Sequence, residues 1–303
     1  MSAMTLEQFL AQPRTVTDSM IIPPQGQSLC FIIDQCRQPQ ALERLYALGQ
    51  PIEQDNLFLG TEFDSLTSQG PIWISSPETN KLSMLAAELC LEHNAGICLL
   101  TEDAQRAQAH ARWLLKVKDG SGGHSLLSYY RPSLWAAMAS TSGQTLPNLM
   151  GPWLSVFSPA PRNFGDSSGQ WISWRSANHL SPDYSNTYFE LAPDCVAMQR
   201  ELGWVYWIDE HYQAFPEPLG DKLSMVVSNL SFLARHRIKQ GRHLLRLNHI
   251  VASAPLETWP EALEILAGNE ASFIKVKKLE RLPTDSVGGL ANRQDEWSHH
   301  GAW

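Results

Sequence analysis

The sequence predicts an α/β N-terminal lobe, a mixed and partly parallel sheet with flanking helices, followed by a smaller, mostly α-helical C-terminal lobe. Three observations predict it. Short β-branched and aromatic runs alternate with helical stripes from residue 28 to about 115, the pattern of strand–helix–strand units. A stretch rich in Pro, Gly, Ser and Asn, 159–190, then breaks the alternation. From about 191 helical patterns dominate. The implied division is a polar lead-in over 1–27, an α/β domain over 28–158, a linker or insertion over 159–190, a helical lobe over 191–282 and a flexible tail over 283–303.

The elements follow in order. The lead-in holds a short helix over Thr5–Gln12. The run Leu29–Ile33, ending at Asp34, is short, β-branched and aromatic, and reads as a buried strand. Pro39 suits a helix start, Leu42, Leu45 and Tyr46 share a face, and Gly49 suits the C-terminal cap. "DNLFLG" and "GPIWISS" read as two further strands. Ser76 is a candidate cap, with Pro77 at the first helical position. Leu82, Leu85, Ala86 and Leu89 then recur at i, i+3, i+4 and i+7, one helical stripe closed by Gly96. "ICLL" is a strand. Thr101 is the expected cap of the next helix, whose first turn carries Glu102 and Asp103 at the positive end of its dipole. "KVKDGSGGHSLLSYY" reads as a hairpin turning at Asp119-Gly120. A helix starts at Pro132, and "GPWLSVF" reads as an edge strand. In the second lobe, Leu223, Val226, Val227, Leu230 and Leu233 share a face, and Gly241 is the expected stop. "RHLLRLNHIVASA" and "PEALEILAGN" follow as helices.

Composition bounds the function. Of 303 residues, 43% are hydrophobic, enough for a packed core. The formal charge is −8, from 31 acidic and 23 basic residues, and the basic residues are scattered. That argues against a nucleic-acid surface, which needs clustered Lys and Arg. The densest basic cluster, Lys275, Lys277 and Lys278 beside an apolar strip, reads as a solvated face ahead of a phosphate site. Five cysteines without C-x-x-C imply a reduced, cytoplasmic protein. The opening "MSAMTLEQFLAQPRTVTDS" lacks a basic stretch followed by an apolar one, so it does not read as a secretory signal. No apolar run reaches the ~18 residues of a membrane span, so no membrane insertion is expected.

The chemical candidates are weak. "GDSSG", 165–169, fits the G-x-S-x-G elbow of serine hydrolases, with Ser167 as nucleophile. An elbow needs a strand before it and a helix after it. "SPAPRNF" precedes and "QWISWRS" follows, which is the setting of a turn between extended segments. Ten histidines include no H-x-x-x-H pair. His236, His243 and His249 are spaced by seven and six, and His299-His300 lie in the tail. Asp209, Glu210 and His211 are adjacent in sequence and diverge on either a strand or a helix. "GSGG", 120–123, reads as a turn, and no nucleotide-binding glycine motif occurs. No catalytic residue, no metal and no cofactor are expected.

The stretch from about 28 to 157 resembles a known family. The features that carry the resemblance are "LFLGTEFDSLTSQGPIWISSP", "GICLLTEDAQRAQAHARWLLKVKDGSGGHSLLSYYRPSLWAAM" and "MGPWLSVF". Their anchors are Leu57, Phe58, Gly60, Thr61, Gly70, Pro71, Tyr130, Arg131, Pro132, Leu134, Gly151 and Pro152. In this order they are similar to domain of unknown function 4123, whose members act as adaptor chaperones of bacterial type VI secretion. Many members carry Asp where this chain has Arg131. The resemblance implies a non-enzymatic adaptor that holds a toxic effector in the cytoplasm and loads it onto the valine–glycine-repeat spike protein. Two other classes compete: a serine hydrolase using Ser167, and an immunity protein capping one toxin.

Eleven tryptophans exceed the roughly four of average usage. Trp73, Trp113, Trp135 and Trp153 suit a core. "GWVYWIDEHY" reads as a strand with Trp204 and Tyr206 on one face and Val205 and Trp207 on the other. With both faces apolar, it is either a buried strand in a core between the lobes or a strand whose second face meets a partner; on the second reading Trp171, Trp174, Trp204, Tyr206, Trp207 and Tyr212 are the candidate partner-binding residues, since aromatics anchor interfaces.

Overall fold

The computed structural model describes residues 4–118, 123–161, 169–176, 188–215 and 219–283. The chain divides into two compact units, Met1–Tyr206 and Trp207–Trp303. The boundary falls inside one helix, Cys195–Glu210.

The first unit is built on a seven-stranded sheet. Its strands are β1 (Arg14–Val16), β2 (Ser28–Ile33), β3 (Gln54–Asn56), β4 (Ile72–Ser76), β5 (Gly96–Thr101), β8 (Ser155–Pro159) and β9 (Gln170–Arg175), in the order β1-β9-β8-β5-β2-β4-β3. β6 (Lys116–Lys118) and β7 (His124–Leu126) form a separate hairpin; its expected turn at Asp119-Gly120 lies outside the described residues. The helices of this unit are α1 (Leu6–Leu10), α2 (Thr17–Met20), α3 (Ala41–Tyr46), α4 (Lys81–Leu91), α5 (Ala104–Trp113), α6 (Pro132–Ser142) and α7 (Leu146–Met150), with α8 (Cys195–Glu210) crossing the boundary.

Every pairing in the sheet is antiparallel, which corrects the expectation of a partly parallel sheet. β4 and β5 do run in the same direction, as a strand–helix–strand unit requires. β2 lies between them, pairing Phe31 with Ile74 on one side and with Cys98 on the other. The unit is a split β-α-β, in which the crossover helix α4 spans an inserted strand. The sequence pattern carries strand direction but not adjacency. Among the described residues, the parallel pairing present is an isolated bridge, Val117 to Phe189.

β2 is buried on both faces, which is why it reads as an unbroken apolar run. Leu29, Phe31 and Ile33 pack with Ala86, Leu89 and Cys90 of α4 and with Leu45 of α3. Cys30 and Ile32 point to the other face and are equally buried. The thiol of Cys30 is pushed up to about 12 by burial, so it behaves as a small apolar group. α6 packs against β8.

Several boundaries differ from expectation. Asn80, not Ser76, caps α4: Asn80 Oδ1 accepts from Ser83 N–H at 3.0 Å and Ser83 Oγ accepts from Asn80 N–H at 2.9 Å. Asp103, not Thr101, caps α5, its carboxylate accepting from Arg106 N–H. β8 is interior, paired with β5 and β9, not an edge. Within the lead-in, β1 pairs with β9. Within the expected linker, β9 itself is a sheet strand.

In its described residues the second unit is helical throughout: α9 (Leu223–Arg235), α10 (Gly241–Arg246), α11 (Asn248–Val251), α12 (Pro260–Ala267) and α13 (Ser272–Leu279). Its core holds the expected stripe Leu223, Val226, Val227, Leu230 and Leu233. Gly241 starts α10; α9 ends earlier, at Arg235. No helix among the described residues is long and apolar enough to cross a membrane.

Candidate protein-interaction site

The carboxyl end of β2 organises one end of the sheet. Asp34 follows Ile33 directly and is buried at 1% exposure. A buried carboxylate needs hydrogen-bond partners. Asp34 Oδ1 accepts from Cys36 N–H at 2.9 Å, and Oδ2 accepts from Arg131 Nε–H at 3.1 Å. Arg131 sits in extended backbone at ψ 125°, as the residue before a proline must. Pro132 then opens α6, and the carbonyl of Arg131 accepts from Trp135 N–H. One residue thus ties the start of α6 to the end of β2. Arg131 has a local physical account: its guanidinium answers the Asp34 carboxylate. Arg131→Ala is expected to destabilise the first unit by about 1–3 kcal/mol, because it leaves a buried charge with one partner fewer while the lost side chain is half exposed. Urea midpoints would show this, and most of the loss should vanish in an Asp34→Asn background.

The loop from Leu57 to Gly70 returns to the same place. Gly60 adopts φ +73°, and its N–H donates to Asp64 Oδ1 at 2.9 Å. Asn56 Nδ2 donates to the Thr67 carbonyl at 2.8 Å, and Gln35 Nε2 donates to the Gly70 carbonyl at 2.5 Å. At Gly70 a Cβ would lie 2.4 Å from Asn56 Oδ1 and 2.8 Å from the Phe58 ring, so no side chain fits. The Pro71 carbonyl accepts from Leu57 N–H. The loop is thereby held by Asn56 and Gln35 together with its own Asp64. It presents Leu59 and Leu66 to solvent, 53% and 40% exposed. Glu62 joins the loop to the hairpin through Lys116 Nζ at 3.3 Å and His124 Nε2 at 2.9 Å. Burial raises the Glu62 carboxyl, but hydrogen bonds and charge from those two partners outweigh it, and its net shift is downward.

Tyr130 is buried beside this site, and burial pushes its hydroxyl up to about 12. It stays protonated and donates to Ser128 Oγ at 3.5 Å. Of the residues that anchor the sequence pattern, Gly60, Gly70, Pro71, Tyr130, Arg131 and Pro132 therefore gather at one end of the sheet. Gly151 and Pro152 lie at the other. There the Pro152 carbonyl accepts from Thr101 Oγ1 at 3.2 Å. Gly151, at φ +52°, leaves room for the His110 ring, which a Cβ would meet at 2.6 Å.

The aromatic candidates fall elsewhere. "GWVYWIDEHY" is not a strand: Trp204, Tyr206 and Trp207 lie on α8. Its aromatics favour strand locally, but Met198, Leu202, Val205, Tyr206 and Asp209 are buried at helical spacing. Trp171 is fully buried, with its indole N–H donating to Thr17 Oγ1 at 3.0 Å. Trp174 donates to Ser158 Oγ at 2.9 Å and stacks on Phe9. The Tyr206 hydroxyl donates to the Pro159 carbonyl at 2.6 Å. These three are core residues of the first unit and present nothing to a partner. Trp204 is half-buried. Trp207, also half-buried, packs its ring 4.6 Å from His211 and 6.4 Å from Phe215. Tyr212 alone of the six is exposed, at 47%. Leu59 and Leu66 were not singled out by sequence, because a leucine in a loop carries no signal until the loop's geometry exposes it.

Ser167 and the downstream His179 lie outside the described residues, as do His299, His300, Trp297 and Trp303. Among the described residues no group of three or more His, Cys, Asp or Glu is placed to hold a metal ion.

A protein-family model described as Domain of unknown function (DUF4123) matches residues 30–146. The matched stretch runs from β2 into the first residue of α7 and contains the whole gathering of anchors around Asp34; β1, β8 and β9 lie outside it. No curated protein and no solved structure matches the chain.

Proposed function

We propose that this chain is an adaptor chaperone of type VI secretion, binding a toxic effector in the cytoplasm of the producing cell and helping to load it onto the valine–glycine-repeat spike protein. The observation that carries this reading is the match to residues 30–146 on the segment whose anchors hold the Leu57–Gly70 loop at the end of the sheet. That loop is ordered by these hydrogen bonds, so Leu59 and Leu66 meet a partner without a large ordering cost. Two exposed apolar side chains on a fixed loop suit capture of an apolar effector segment. The net charge of −8 favours encounter with a basic partner.

The test is a double variant, Leu59→Asp with Leu66→Asp. Both side chains are exposed, so the urea midpoint should stay within about 0.5 kcal/mol of the parent. Effector affinity should fall by tenfold or more, on the order of the loss at an interface anchor. Unaltered affinity would remove this loop from the reading. An effector truncated to its non-catalytic part distinguishes an adaptor, which retains it, from an immunity protein, which needs the toxin's catalytic domain.

A further inference from the structure

The second unit contains a pocket of about 570 Å³ between the end of α9 and the α12–α13 turn, lined by Arg235, His236, Arg237, Asn269, Ser272 and Lys275 among others. Its cations stand out on a chain of net charge −8. Among the described residues, two of them carry donors that the fold leaves unused.

Arg237 is the first. α9 ends in a Schellman turn: Arg237 N–H donates to the Ala234 carbonyl at 3.1 Å, and Ile238 N–H to the Leu233 carbonyl at 3.0 Å. The residue at the centre of this turn must be left-handed, and Arg237 has φ +68°. Glycine adopts that conformation freely, whereas a Cβ is strained there. Helix termination alone would therefore favour glycine. The Arg237 guanidinium makes no hydrogen bond and no ion pair with the described residues, so its charge is not used to hold the fold.

Lys275 is the second. It is buried at 8% exposure, and its ammonium donates to the Leu266 carbonyl at 2.7 Å, closing the end of α12. An ammonium has three donors. Among the described residues this carbonyl is the one acceptor Lys275 Nζ has, so two donors remain for whatever enters the pocket. The neighbouring charges are largely satisfied. Arg235 pairs with Glu257 and lies over the Phe232 ring, and Glu270, on the pocket wall, pairs with Lys278.

We propose that this pocket binds an oxyanion, a carboxylate or phosphate group, between Arg237 and Lys275. A guanidinium fork and an ammonium offer directed and point-charge donation to an oxyanion in the pocket that both residues line. Anion binding then accounts for an arginine at a position where helix termination alone favours glycine. This site belongs to the second unit and does not depend on the adaptor reading.

The experiment is calorimetric titration of the full chain with two probes, inorganic pyrophosphate and a hexaglutamate peptide, whose comparison separates a phosphate from a carboxylate source. Saturable binding of at least one is expected. Arg237→Gly should weaken it by about tenfold or more, as loss of a charged hydrogen bond does, while raising the melting temperature by about 2–4 °C through relief of the left-handed strain. That rise excludes misfolding as the cause of the lost binding. Lys275→Met should weaken binding by a similar factor. If neither probe binds saturably, or if Arg237→Gly binds as tightly as the parent, the pocket is not an oxyanion site.

Discussion

Asn229→Asp is expected to destabilise the second unit by about 3–5 kcal/mol, although the two side chains are nearly isosteric. Asn229 lies on α9 at 2% exposure, where an amide is tolerated only if its polar atoms are met. All are met by backbone. Nδ2 donates to the carbonyls of Val251 and Ala254 at 2.9 and 2.8 Å, and Oδ1 accepts from Leu256 N–H at 2.8 Å. One side chain thus fixes the turn that leaves α11 and enters Pro255–Trp259. Aspartate keeps the volume and the bond from Leu256 but removes both donors and sets a carboxylate against two carbonyls. Each stranded buried group costs about 1–3 kcal/mol, and burial of the charge adds to it. Asn229→Leu removes the amide without a charge and should cost about 2–4 kcal/mol. Urea unfolding followed by tryptophan fluorescence, with Trp259 in this turn as the local probe, measures both. A loss under about 1 kcal/mol for the aspartate variant would show that the turn stands without Asn229.

The second large effect is a pH dependence located at His110. This residue of α5 is fully buried, with its ring 4.7 Å from Trp153 and 5.4 Å from Trp113. Nε2 lies 2.9 Å from the Leu149 carbonyl, which can only accept, so Nε2 carries the proton of the neutral ring. Burial lowers its pKa from the ordinary 6.5 to about 4, against a smaller upward contribution from that carbonyl. Between those values the unfolded chain binds a proton that the native state refuses. Stability is therefore fully present above pH 6.5 and falls as the pH drops toward 4, by about 3 kcal/mol in total. His110→Gln keeps a donor for Leu149 and cannot titrate. The parent should lose more stability than this variant between pH 7 and pH 4, by that amount, while carboxylates common to both cancel in the difference. Equal slopes in parent and variant would show that the native state admits the proton.

Much of the fold was legible because its signals are local. The stripe Leu82, Ala86 and Leu89 is the buried face of α4, and the runs at 29–33 and 97–100 are β2 and β5. What failed was non-local. The pairing of β2 between β4 and β5 is decided by which edge each strand finds, and no residue of β4 or β5 encodes it. "APDCVAMQREL" reads as a helix and is the first half of α8; the second half reads as a strand because Trp204, Tyr206 and Trp207 carry strand propensity, whereas the sixteen-residue helix they belong to is set by what Leu202, Val205 and Asp209 bury against. The caps moved by a few residues because Ser76 and Thr101 are equally good capping types. Their hydroxyls instead bond locally, Ser76 to the Glu78 carbonyl and Thr101 to the carbonyls of Asp103 and Pro152. At the candidate site the glycines and Pro132 were legible, since each answers a backbone requirement. The partnership of Arg131 with Asp34 spans 97 residues and was not.

The central claim is that this chain acts by gripping another protein. It is tested most directly by co-expressing the tagged chain with the proposed effector, sought among large proteins encoded by neighbouring genes and truncated of any catalytic domain, and with a valine–glycine-repeat spike protein, followed by purification on the tag and sizing. The account predicts a complex that survives sizing and contains the truncated effector, and whose effector is lost when Leu59 and Leu66 are both aspartate. Recovery of the tagged chain alone from the parent co-expression would contradict it.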